Sequence, residues 1–161
     1  GKVKDLSKIS KVIAYGAAKF AILKVSPDKN ITFDIEKALS FEGETSPYIQ
    51  YSYARANSIL KKAKPKIADY KTLTTPQEIA LVSKLSIFPQ VVKNALINLQ
   101  PHTIANYSLE LAKSFNEFYH ACPVINEKEP IKSGRLQLVL AAKQTISNAL
   151  LLLGIEVPEQ M

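Results

Sequence analysis

Prolines stand at helix starts and helix ends along this chain, and that pattern limits its fold more than any other feature. Proline fits the first turn of a helix, where its missing N–H loses no bond, and it breaks a helix interior. Ser46-Pro47 and Thr75-Pro76 each combine a capping side chain with a proline at the first helical position. Pro101 opens a third such run. The apolar spacing after each proline is three or four residues, the period of a helix buried on one face. Glycine is scarce, with 5 residues in 161. The expected fold is therefore all-α, a helical bundle with short loops.

The helices follow from that punctuation. The first spans Ile9 to Leu23 and is followed by a turn at Ser26–Asn30. Ile31-Thr32-Phe33 reads as a brief extended piece, and Asp34 as the cap of a short helix through Leu39. Ser46 caps a helix that runs to about Lys64 and ends at Pro65. Lys66 to Thr74, with Asp69 and Tyr70, is a connector. Thr75 and Glu78 have the spacing of a capping box. A kink is expected at Pro89, with core sides Ile79, Val82, Leu85 and Ser86 before it, and Val92, Ala95, Leu96 and Leu99 after it. Ile104, Tyr107, Leu111, Phe115 and Phe118 form one clean stripe, which Cys122-Pro123 ends. The last helix runs from about Gly134 to Leu153, and Gly154 stops it.

Charge narrows the partners. The chain carries 21 basic and 14 acidic residues, a net charge of +7, and nineteen of the basic residues are lysines. A positive surface favours a polyanion without naming one. Cys122 is the sole cysteine, so no internal disulfide or cysteine metal cluster forms, and a reducing, cytoplasmic setting is expected. Gly1 to Asp5 lead into no signal-peptide-like apolar run, and the first residue is not methionine, which leads us to expect a longer parent. His102 and His120 lie too far apart on one helix to share a metal, and no Gly-rich phosphate loop follows a strand.

The stretch SPYIQYSYAR, Ser46 to Arg55, carries three tyrosines and one of the two arginines. On a helical wheel Ile49, Tyr53, Ala56 and Leu60 share the core face, and Tyr48, Tyr51, Arg55 and Lys62 the adjacent one. Tyr48 and Tyr51 either pack on a neighbouring helix or offer rings and hydroxyls to a ligand. In the last helix Leu138, Val139, Ala142, Ile146, Ala149, Leu150 and Leu153 form the apolar face; Gln137, Lys143, Gln144, Ser147 and Asn148 lie opposite, solvated or ligand-binding.

Several ordered pieces resemble the arginyl-tRNA synthetases, class I aminoacyl-tRNA ligases. YGAAKFAIL (Tyr15 to Leu23) is similar to the helix after their mobile signature loop. FDIEKALSFEGETSPYIQYSYAR (Phe33 to Arg55), LELAKSFNEFY (Leu109 to Tyr119) and GRLQLVLAAKQTISNALLLLGIEVPEQM (Gly134 to Met161) are similar to stretches of that family in the same order. The resemblance implies that residues 1–46 are the tail of a catalytic domain and 47–161 a helical anticodon-binding (DALR) domain. It implies tRNA(Arg) as partner, neither DNA nor membrane, and a monomeric parent that joins arginine to tRNA. ATP and Mg2+ would be handled by a Rossmann-type catalytic domain whose His-x-Gly-His motif is not in this chain, leaving no cofactor and no catalytic residue here. It implies tRNA contacts at Tyr48, Tyr51, Arg55, Tyr119, Arg135, Lys143 and Met161. Gln160 departs from the basic residue that often precedes the final methionine. A helical protein–protein module with an incidental basic surface is the alternative, and it requires Tyr48 and Tyr51 to be buried. Ile13 and Phe20 are expected to be exposed if residues 1–46 lack their usual cover.

Overall fold

The computed structural model describes residues 6–68 and 70–161. Asp69 and the first five residues, on which the leader reading rests, lie outside the described residues. Seven α-helices and one short 3-10 turn make up the regular structure among the described residues: α1 (Leu6–Leu23), α2 (Ile35–Leu39), α3 (Ser46–Lys62), the turn Tyr70–Thr72, α4 (Pro76–Ser86), α5 (Phe88–Asn98), α6 (Pro101–Ala121) and α7 (Ile131–Leu152). No strand occurs among them, and none of these helices is long and apolar enough to cross a membrane.

The centre of the bundle is α6, which touches α1, α3, α4, α5 and α7. Its stripe explains why. Ile104, Tyr107, Leu111, Phe115 and Phe118 are all buried, as their spacing predicts. Each such side chain contributes roughly 1.5–3 kcal/mol on leaving water. Tyr107 stacks on Phe88 at 5.4 Å between ring centroids and donates its hydroxyl to the Lys84 carbonyl at 2.9 Å, tying α6 to α4 and α5. Burial pushes its phenol up to about 12. The apolar face of α7 closes the other side, and all seven of its predicted positions are buried.

The caps come out with one shift. Asp34 accepts from the Lys37 N–H, and Thr75 and Glu78 form the expected box. At α3 the cap is Thr45, not Ser46: the Thr45 hydroxyl accepts from the Tyr48 N–H. Ser46 is instead fully buried against α1, where a side chain at Gly16 would come within 3.0 Å of the Ser46 Oγ and 2.8 Å of the Gln50 Nε2. Gly16 thus lets the two helix backbones approach closely. α3 also ends at Lys62, two residues early, while Gly154 ends α7 with a positive φ of 66° as expected.

Two predicted faces are corrected. On α4 the buried residues are Glu78 and Leu81, whereas Ile79 and Val82 are exposed. On α5 only Ala95 is fully buried, and Leu96 and Leu99 face solvent. The apolar positions of α4 span a broad arc, and the side of it that is buried carries Leu81 together with Glu78, which enters a buried ion pair described below. Phe20 is likewise buried, not exposed, because it enters the main core from α1, and Ile13 is half-buried.

Candidate nucleic-acid interface

Three chain segments meet at one edge of the bundle: the middle of α3, the C-terminal end of α6 and the last residues of the chain. Arg55 lies at their junction. Its guanidinium carbon is 4.8 Å from the Tyr51 ring centroid and 5.1 Å from that of Tyr119. Both rings lie within the range of cation–π attraction. Both are also accessible, Tyr51 at 42% and Tyr119 at 37%. The edge of Tyr119 meets the exposed His120 at 5.9 Å. A cavity of about 500 Å³ opens here, lined by Tyr51, Arg55, Ser58, Tyr119 and Met161. Four of the predicted site residues, from positions up to 110 apart in the sequence, therefore converge.

Met161 reaches the cavity because α3 holds the tail along its length. Ile155 and Pro158 are buried. The Gln50 Nε2 donates to the Glu156 carbonyl at 2.8 Å, and the Asn57 Nδ2 to the Glu159 carbonyl at 2.9 Å. Sequence reasoning singles out neither Gln50 nor Asn57, although two buried amides about two helix turns apart are the device that fixes the chain end.

The other predicted residues lie behind this surface. Tyr48 is half-buried, and its hydroxyl accepts from the Asn116 Nδ2 at 2.9 Å. Lys143 donates to the Asn57 Oδ1 at 2.7 Å and lies 5.4 Å from the Tyr53 ring. It thereby supports the amide that grips the tail. Arg135 needs a correction. Its side chain is 8% exposed, and it donates to the Glu78 Oε1 at 2.7 Å, the Glu127 Oε2 at 2.9 Å and the Pro123 carbonyl at 2.7 Å. With its side chain buried and its Nε and Nη1 committed inside the bundle, Arg135 belongs to the core and not to this edge. Desolvation, the largest influence on Glu78, raises its pKa. The hydrogen bonds from Arg135 and Thr75 and the charge of Arg135 together outweigh it, and the carboxyl titrates below its ordinary value.

Asn116 is a further residue that sequence reasoning missed. It lies between Phe115 and Phe118 on α6, is 8% exposed, and accepts from the Arg55 Nη1 at 2.8 Å. A poor helix former between two core aromatics is the one signal that marked it. Among the described residues no group of three His, Cys, Asp or Glu side chains could hold a metal ion.

A helical bundle with a ring-flanked arginine beside a pinned chain end matches a known class. Residues 49–161 match the DALR anticodon binding domain family, and the chain belongs to it. More particularly, it is similar to arginine–tRNA ligases. It is 45% identical over 154 residues to that of Methanocella arvoryzae, covering 96% of this chain and 27% of the relative. It is 42% identical over 168 residues to that of Pyrococcus furiosus, covering 98% and 27%. The solved arginyl-tRNA synthetase of Thermus thermophilus superposes with a TM-score of 0.95 at 40% identity, over 99% of this chain and 28% of that one. The chain thus spans little more than a quarter of the length of these relatives.

Proposed function

We propose that this chain is the RNA-gripping part of an arginine–tRNA ligase and that the cavity around Arg55 receives the anticodon loop of tRNA(Arg). The observation that carries this reading is the convergence of Tyr51, Arg55, Tyr119 and Met161 on one open cavity. Unstacked loop bases bind by stacking on rings and guanidinium planes and by hydrogen bonds to their edges, and this cavity offers both. The net charge of +7 supplies the long-range attraction to phosphate. Residues 47–161 form the anticodon-binding unit in this proposal, supported by a family match that starts at residue 49. Residues 1–46 belong to a catalytic domain, and the ATP- and Mg2+-dependent joining of arginine to tRNA is carried out by the part of such ligases this chain does not span.

The test is binding of transcribed tRNA(Arg) at two salt concentrations. Affinity should fall steeply with salt, with Tyr119→Ala and deletion of Met161 each costing about tenfold, on the scale of one lost stacking contact. If both variants bind like the unaltered chain, the cavity is not the site. Buried tyrosines would favour the protein–protein alternative, but Tyr51 is open.

A further inference from the structure

Asn116 lies beside the first cavity rather than in it, and its three hydrogen bonds fix the orientation of its side-chain amide. Its amide oxygen accepts from Arg55 at 2.8 Å, and its nitrogen lies 2.9 Å from both the Tyr48 hydroxyl and the Ser52 Oγ. Arginine has donors only, so the oxygen of Asn116 faces Arg55 and the NH2 is turned on Tyr48 and Ser52. Ser52 in turn donates its own proton to the Tyr48 carbonyl at 3.0 Å. The Tyr48 oxygen accepts from Asn116 and so keeps its own proton, for which the described residues supply no acceptor. Tyr48 and Asn116 line a second cavity of about 500 Å³ that shares Tyr51 and Arg55 with the first and has Lys113 at its edge.

We infer that Asn116 is a positioning residue that sets the hydrogen-bond polarity of this cavity, holding Arg55 between its rings and leaving Tyr48 as a donor that selects an acceptor atom on the RNA. This rests on the RNA-binding reading and deepens it. The acceptor is a base oxygen or nitrogen, or a phosphate oxygen. Tyr48 thereby joins the surface through its hydroxyl although its ring is half-buried.

A double-mutant cycle on an anticodon stem-loop RNA tests the inference. Tyr48→Phe weakens binding about fivefold, the worth of one hydrogen bond. In an Asn116→Ala background the same change costs less than about twofold, because Tyr48 is no longer oriented. Equal costs in both backgrounds would mean that Asn116 merely fills space, and would overturn the inference. Asn116→Asp guards against a packing defect, since it keeps the volume and the acceptor for Arg55 but cannot donate. There the Tyr48 proton turns inward, and Tyr48→Phe should again cost less than about twofold; a full fivefold loss overturns the polarity assignment. Stem-loops with single abasic positions separate the two acceptors: one abasic position removes the Tyr48→Phe effect if the acceptor is on a base, and none does if it is a phosphate oxygen. A chain that does not bind the stem-loop at all overturns the RNA reading itself, whereas equal costs on a chain that binds overturn only the role of Asn116.

Discussion

The chain has two arginines, and the bundle uses them in opposite ways. Arg135 is enclosed by two carboxylates and a carbonyl, at the point where α4, α7 and the loop after α6 meet. Among the described residues Arg55 has one polar partner, Asn116, and two accessible rings. A guanidinium buried inside the protein and bonded there through both Nε and Nη1 serves the fold. One held by a single amide, with its planar faces against rings, keeps donors in reserve for a ligand. The family resemblance implied a tRNA contact for both, and what separates them is the number of fixed acceptors around each.

The sharpest way to break this contrast is to remove the enclosed side chain. Arg135→Ala leaves Glu78 charged and 1% exposed, with two backbone N–H groups but no cation. Breaking a buried pair by deleting one partner costs about 3–5 kcal/mol. Thermal or denaturant unfolding should therefore show a large loss. A loss below about 1 kcal/mol would mean that the pair is no more than a surface bridge and that Arg135 is free to serve elsewhere.

Acid titrates the same pair more gently. The folded-state pKa of Glu78 lies below its ordinary 4.5. The unfolded chain thus takes up the proton first as pH falls. The stabilisation from this carboxylate is complete above the ordinary value and is lost as pH drops through the lower, folded one. The difference in melting temperature between the unaltered chain and Glu78→Gln should be greatest near pH 6 and shrink below about pH 4. A difference that stays constant through the acid range would show that the charge of Glu78 contributes nothing.

This pair also explains what the sequence did and did not disclose. The α6 stripe could be read because its apolar residues follow one period with polar residues between them. The α4 face could not, because Ile79, Leu81, Val82 and Leu85 spread over a broad arc, and its buried side includes Glu78, which meets an arginine 57 residues away. Glu78 was legible only as a cap, yet its second oxygen has the larger task. At the candidate interface, the helical wheel placed Tyr51 and Arg55 on one face from local spacing. Tyr119 and Met161 entered only through resemblance, since nothing local brings a chain end to α3. The amides that do so act over long separations: Gln50 bonds 106 residues ahead and Asn57 102 residues ahead. A polar residue in mid-helix looks solvated until its distant partner is known.

Lysine in place of each arginine gives the finest test of the comparison, because charge is kept and only the planar fork is lost. Arg135→Lys should still destabilise the chain, since a single ammonium cannot reach both carboxylates and the Pro123 carbonyl with the geometry of the fork. Arg55→Lys should leave unfolding stability within about 1 kcal/mol, as its one polar partner among the described residues is Asn116 and the site is partly solvated. Its effect belongs in RNA affinity, a loss of about fivefold from weaker stacking between Tyr51, the bound base and Tyr119. The number of charges is unchanged, so the slope of log affinity against log salt should stay as it was. A shallower slope would place Arg55 against a phosphate and not against a base. A loss of stability equal to that of Arg135→Lys would erase the distinction between the enclosed arginine and the open one.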